Sequence, residues 1–139
     1  MIAIDTNVLI YAIDADEPAK HAKALSLLGR LRQPGSSTLL LWQVAGEFLK
    51  GLRQRESKGR ISAADVESFF RQYSAMFPLV PPSGQLLPHY FDLFARFSLS
   101  HWDSMLLAAC KEAGVTTLYS EDMDAGTDYD GLRIVNPFA

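Results

Sequence analysis

Apolar positions along the chain change period several times. Short continuous runs at Ile2-Ala3-Ile4, 38–42 (TLLLW), 77–80 (FPLV), 116–119 (TTLY) and 132–135 (LRIV) are each bounded by turn residues or charges, the mark of short buried strands. Between them the period lengthens. Val66, Phe69, Phe70, Tyr73 and Phe77 recur at helical spacing, as do Leu87, Tyr90, Phe91, Phe94 and Phe97. Segments from about Glu17 to Arg32 and from Gln43 to Arg55 also read as helices, the first with Pro18 at a favoured first-turn position. Apolar strands separated by helices predict an α/β fold with a mostly parallel sheet covered on both faces. No repeat, low-complexity tract or linker interrupts the pattern, and PPSG at 81–84 reads as a loop, so residues 1–139 are expected to form a single domain.

Against this apolar background four carboxylates are misplaced. Asp5 directly follows the first strand, at the edge where α/β folds bind ligands. Taken alone it is equally well read as the N-cap of the next helix. Glu47 borders the stripe formed by Val44, Phe48 and Leu52, and a lone Glu there is expected to reach out to solvent. Asp103 falls on the helix face of Leu106, Leu107 and Cys110, with Ser104, Lys111 and Glu112 on the polar side; Ser100 three residues earlier offers it a capping box instead. Ser120, Glu121, Asp122 and Asp124 follow the fourth apolar run, where an acidic turn is ordinary loop chemistry. Each bland reading is adequate alone, yet all four place acids at equivalent ends of strands and helices. Convergence on one site is the economical reading. Carboxylates so gathered raise one another's pKa unless a cation compensates them. Oxygen donors without paired His or Cys suit Mg²⁺ or Mn²⁺, the ions of metal-assisted phosphoryl chemistry.

DTNVLIYA, VAGEFL, HWDSMLLAAC and LYSEDMDAG resemble, in order and spacing, the acidic motifs of PIN-domain ribonucleases, most closely the VapC-type toxins of bacterial toxin–antitoxin modules. The resemblance runs from Ile2 to about Pro137. It implies a three-layer α/β/α sandwich, Mg²⁺- or Mn²⁺-dependent cleavage of single-stranded RNA, a homodimer, and a small antitoxin protein that blocks the site. Asp5, Glu47 and Asp103 match the principal acids and Asp122 the fourth, flanked by Glu121 and Asp124 as alternatives. Asn7 and Ser120 match polar positions that orient acids or metal-bound water. Two rival readings remain at this stage. One is a haloacid-dehalogenase-like phosphatase with Asp5 as nucleophile, although the second Asp usual in such sites is Asn7 here. The other is a non-catalytic PIN-like module that binds an antitoxin.

A formal net charge of -3 excludes nucleic-acid binding through bulk positive charge and leaves room for a local basic surface. Lys50, Arg53, Arg55, Lys58 and Arg60 in KGLRQRESKGR are the expected RNA track. Lys20, Lys23, Arg30 and Arg32 read as solubilising surface, Trp42 and Trp102 as core, and Cys110 as packing. His101 has no partners for a zinc site. With Cys110 the only cysteine, a disulfide within the chain and a cysteine-based zinc site are excluded, which suits the cytoplasm. No apolar run approaches the roughly 18 residues of a membrane span, and the N-terminus lacks the pattern of a signal peptide.

Overall fold

The computed structural model describes residues 1–139. The strands are β1 (Ile2–Ile4), β2 (Thr38–Leu41), β3 (Leu79–Val80), β4 (Thr117–Tyr119), β5 (Asp128–Tyr129) and β6 (Leu132–Val135). The helices are α1 (Thr6–Ile13), α2 (Pro18–Leu31), α3 (Trp42–Ser57), α4 (Ala63–Ser74), α5 (Leu86–Arg96) and α6 (His101–Glu112). The sheet has the order β3-β2-β1-β4-β6-β5, with every pair parallel except β5–β6. Helices flank it to give the three-layer α/β/α architecture. Its core includes the near-inaccessible Ala3, Ile4, Leu40, Leu118 and Ile134, contributed by four different strands.

The strand order determines where a site can form. From β1 the chain winds outward through β2 to β3, then returns across the sheet by α5 and α6 to pair β4 with the other side of β1. The winding direction therefore reverses between β1 and β4, and the crevice beyond their carboxyl ends is the natural ligand position. Asp5 leaves β1 there and Ser120 leaves β4 there.

Several expectations need correction. Trp42 begins α3 instead of ending β2, and the third strand shrinks to Leu79–Val80. Its neighbour Phe77 is a buried side chain beyond the end of α4. The aromatic stripe of α5 does form a helix, but it faces outward: Leu87, Phe91 and Phe94 are 53%, 64% and 61% exposed, whereas Leu86 and Leu93 face the core. Ser104 is fully buried and its hydroxyl has no hydrogen-bond partner, so it does not lie on the polar side of α6. β5 was not anticipated. It pairs with β6 through a two-residue turn at Asp130 (φ 56°) and Gly131 (φ 90°), the Asp-Gly combination that matches the twist of a hairpin. No helix is long and apolar enough to cross a membrane.

Candidate active site

Asp5 is a capping residue and also more than one. Its Oδ1 accepts from the Thr6 amide at 2.7 Å at the start of α1, while its Oδ2 accepts from the Ser120 hydroxyl at 2.7 Å, bridging β1 and β4. The carboxylate is buried, and burial is the main force raising its pKa above the ordinary value. The hydrogen bonds from Ser120 and Thr6 oppose that rise, and the charges of Glu47 and Asp122 add to it. The Asp5 carboxylate therefore feels two of the other misplaced acids.

Glu47 does not reach into open solvent. Thr6 Oγ1 donates to its Oε2 at 2.7 Å and Gln43 Nε2 to its Oε1 at 3.0 Å. The same Gln43 amide donates to the Trp102 carbonyl at 3.1 Å, tying the first turn of α6 to α3. Asp122 accepts from Asn7 Nδ2 at 3.1 Å, and its own amide donates to Ser120 Oγ at 3.2 Å. Glu121 turns away, forming an ion pair with Lys20. Burial raises the Glu121 pKa, but the hydrogen bonds of Lys20 and Tyr11 outweigh it and hold the group below its usual value. Asp124 is exposed. Lys20 is accordingly no mere solubilising charge, and of the acids after β4 it is Asp122 that lies beside Asp5.

Asp103 stands in the first turn of α6, which the bond from Gln43 to the Trp102 carbonyl holds beside the start of α3, and its charge is not among those that raise the Asp5 pKa. Ser100 caps the helix by accepting from the Asp103 amide at 3.2 Å. The reciprocal bond of a capping box is missing. At α4 the box is complete: Ser62 accepts from the Asp65 amide and Asp65 from the Ser62 amide. Asp65 is thus spent on its helix, whereas the Asp103 carboxylate remains free.

A groove of about 750 Å³ runs beside this cluster, lined by Thr6, Gln43, Glu47, Lys50 and both tryptophans among others. Of the basic run, only Lys50 and Arg55 line it. Arg55 pairs with Asp14 at 3.1 Å and Arg60 with Asp16 at 3.0 Å, while Lys50, Arg53 and Lys58 are exposed and form no ion pair. Trp42 and Trp102, expected in the core, are 56% and 61% exposed. The partners of Glu47 were missed in the sequence. Gln43 carried a signal, standing four residues before Glu47 on one helix face; Thr6 carried one only as the middle of DTN, and Lys20, 101 residues from Glu121, carried none.

The donor set fits a hard divalent cation in kind: carboxylate, amide and hydroxyl oxygens, around a buried carboxylate that its acidic neighbours destabilise when charged. No three Asp, Glu, His or Cys side chains stand close enough to enclose an ion as they are, and Ser120, Thr6 and Asn7 each occupy an oxygen of one acid.

The PIN domain family model matches residues 2–126. The chain belongs to the PIN domain family. Solved structures with the same fold include Mycobacterium tuberculosis VapC20, described as a sarcin–ricin loop cleaving toxin, with 20% identity, 89% of this chain and 92% of that one covered, and a TM-score of 0.65. A toxin–antitoxin complex from Klebsiella pneumoniae is similar at 18% identity, with 99% and 98% covered and a TM-score of 0.66. VapBC2 from Rickettsia felis, bound to a DNA fragment from its promoter, is similar at 15% identity, with 88% and 89% covered and a TM-score of 0.68. At these identities the likeness is one of fold. No curated protein sequence matches the chain. PIN membership removes the phosphatase reading of Asp5.

Proposed function

We propose that this PIN domain is a metal-dependent endoribonuclease that cleaves single-stranded RNA and serves as the toxin of a toxin–antitoxin pair. The observation that carries the reading is the buried Asp5 carboxylate at the β1–β4 switch point, bonded to Ser120 and facing the charges of Glu47 and Asp122, with the unspent Asp103 carboxylate in the first turn of α6. A non-catalytic module has no use for a buried carboxylate set against two further acids. Asp5, Asp103 and Asp122, with Glu47, would hold Mg²⁺ or Mn²⁺. Such an ion lowers the pKa of water and neutralises charge on a phosphate.

The chain's own groups supply the positioning. Ser120 and the Thr6 amide fix both oxygens of Asp5, and Asn7 aims Asp122 toward the same crevice. Thr6 and Gln43 clamp Glu47 at the groove wall, where it can accept a proton from the attacking water. Lys50, Arg53 and Lys58 bring the polyanion alongside. The toxin reading is supported by the solved toxin–antitoxin relatives of the fold, and the outward apolar stripe of α5 supports a homodimer. A cytoplasmic location accords with the toxin reading.

The test is cleavage of a short single-stranded RNA with Mg²⁺ or Mn²⁺. Asp5→Asn and Asp103→Asn are expected to lower the rate at least 100-fold with the fold intact by circular dichroism. Undiminished cleavage in both variants would remove these acids from the chemistry.

A further inference from the structure

The protein has two tryptophans, and both stand more than half exposed at the lip of the acidic groove. Trp42 opens α3 five residues before Glu47, and Trp102 immediately precedes Asp103. Large apolar side chains at such positions ordinarily withdraw into the core. Here other bonds oblige them to stay out. Gln43, the residue after Trp42, is fastened to Glu47 and to the Trp102 carbonyl, so the indoles are carried by the same backbone that presents the acids. Trp102 is also braced from behind: His101 packs edge-on against it with ring centroids 4.7 Å apart, and Tyr90 Oη lies 2.9 Å from His101 Nδ1.

The indoles also separate two different spaces. On one side lies the polar groove with Glu47 and the unpaired Lys50. On the other, Trp42 and Trp102 close an apolar slot of about 180 Å³ with Val80, Pro81, Pro82 and Met105. This volume is well below the roughly 300–1,000 Å³ of ligand clefts, which limits it to about one ring system. A polar channel with a cation for phosphate, separated by aromatic faces from a slot sized for a flat ring, matches the two chemistries of a nucleotide in single-stranded RNA. Unpaired bases stack on aromatic side chains while basic groups follow the backbone.

We propose that Trp42 and Trp102 form a stacking platform that holds an unpaired RNA base in the apolar slot and thereby sets the scissile phosphate over the acids. The inference rests on the ribonuclease reading for its substrate but not for its physics. The indoles are positioning groups: they take no part in proton transfer.

Because no other tryptophan is present, intrinsic fluorescence reports this platform directly. The intact protein is titrated, in Ca²⁺ to suppress cleavage, with a short single-stranded RNA and with an abasic ribose-phosphate chain of equal length. The RNA is expected to quench both indoles, each of Trp42→Phe and Trp102→Phe to lose part of the signal, and the abasic chain to quench neither. Trp42→Ala and Trp102→Ala are expected to weaken RNA binding roughly tenfold each and to raise KM and lower kcat together, while Trp→Phe restores most of both. Equal affinity for RNA and abasic chain, or unchanged KM in both Ala variants, overturns the platform. Quenching seen only in a complex with the antitoxin also overturns it, assigning the surface to a protein. RNA that quenches wild-type protein but is never cleaved would instead remove the nuclease reading and leave the platform standing.

Discussion

Asp5 shows why a residue can be legible in its position yet not in its partners. A charge after an apolar strand announces itself, and capping leaves room for a second role because the two carboxylate oxygens divide between the Thr6 amide and the Ser120 hydroxyl. The assignment among Glu121, Asp122 and Asp124 was beyond reading, since it turns on Lys20 and Asn7, each more than 100 residues away in sequence. The physics of Asp5 yields a stability prediction. Its folded-state pKa is raised, first by burial and then by Glu47 and Asp122, so the charged form destabilises the fold at all pH values above that pKa. The penalty is relieved as pH falls through the raised value toward 3.8. Asn caps as well as Asp. Asp5→Asn is therefore expected to melt higher than wild type at pH 7 in EDTA, by about 4 °C for each kcal/mol of penalty removed, with the gap closing on acidification. A lower melting temperature would mean that the cap and the Ser120 bridge outweigh the charge.

At the scale of elements, periodicity located the helices but not always the face they bury. α5 reads as amphipathic, but much of its aromatic face is the outer one: Leu86 and Leu93 are buried, Tyr90 and Phe97 are partly buried against the core, and Leu87, Phe91 and Phe94 stand exposed. The β5–β6 hairpin was readable from Asp130-Gly131 and was overlooked because the strand beside it is only two residues long. α3 was read correctly as the bearer of Glu47 and of basic charge, yet its cations divide between structure and surface. Arg55, partly buried against Asp14, belongs to the joint between α1 and α3. The Asp16 amide holds the Asp14 pKa below its ordinary value, with Arg55 adding to the fall against the opposing effect of burial. Arg55→Gln is expected to destabilise by about 1 kcal/mol, between the values of exposed and buried pairs, as measured by urea unfolding. Lys50→Gln with Arg53→Gln should leave stability unchanged and reduce the slope of log affinity for RNA against log salt by about 1.4. An unchanged slope would return these residues to ordinary solvated surface.

For the whole molecule, alternating strand and helix signals predicted the parallel α/β sandwich, and the ordered acids predicted the PIN family. What the pattern could not disclose was the reversal between β1 and β4, because strand order depends on which crossover packs on which face. That reversal is what turns scattered acids into neighbours. The outward stripe of α5 is the surface by which two copies are proposed to associate, so Phe91→Glu with Phe94→Glu should convert a dimer to a monomer in sedimentation, with the far-ultraviolet spectrum preserved. A wild-type protein that sediments as a monomer would contradict the homodimer.

The acids gathered at this switch point are proposed to form one cation site. Calorimetric titration of Mn²⁺ into the wild-type protein, Asp5→Asn and Asp103→Asn tests it without depending on the RNA target. Saturable binding to wild type is expected, accompanied by a rise in melting temperature, with at least tenfold weaker binding in each variant. Equal Mn²⁺ affinity in all three proteins, or none in the folded wild type, would contradict it.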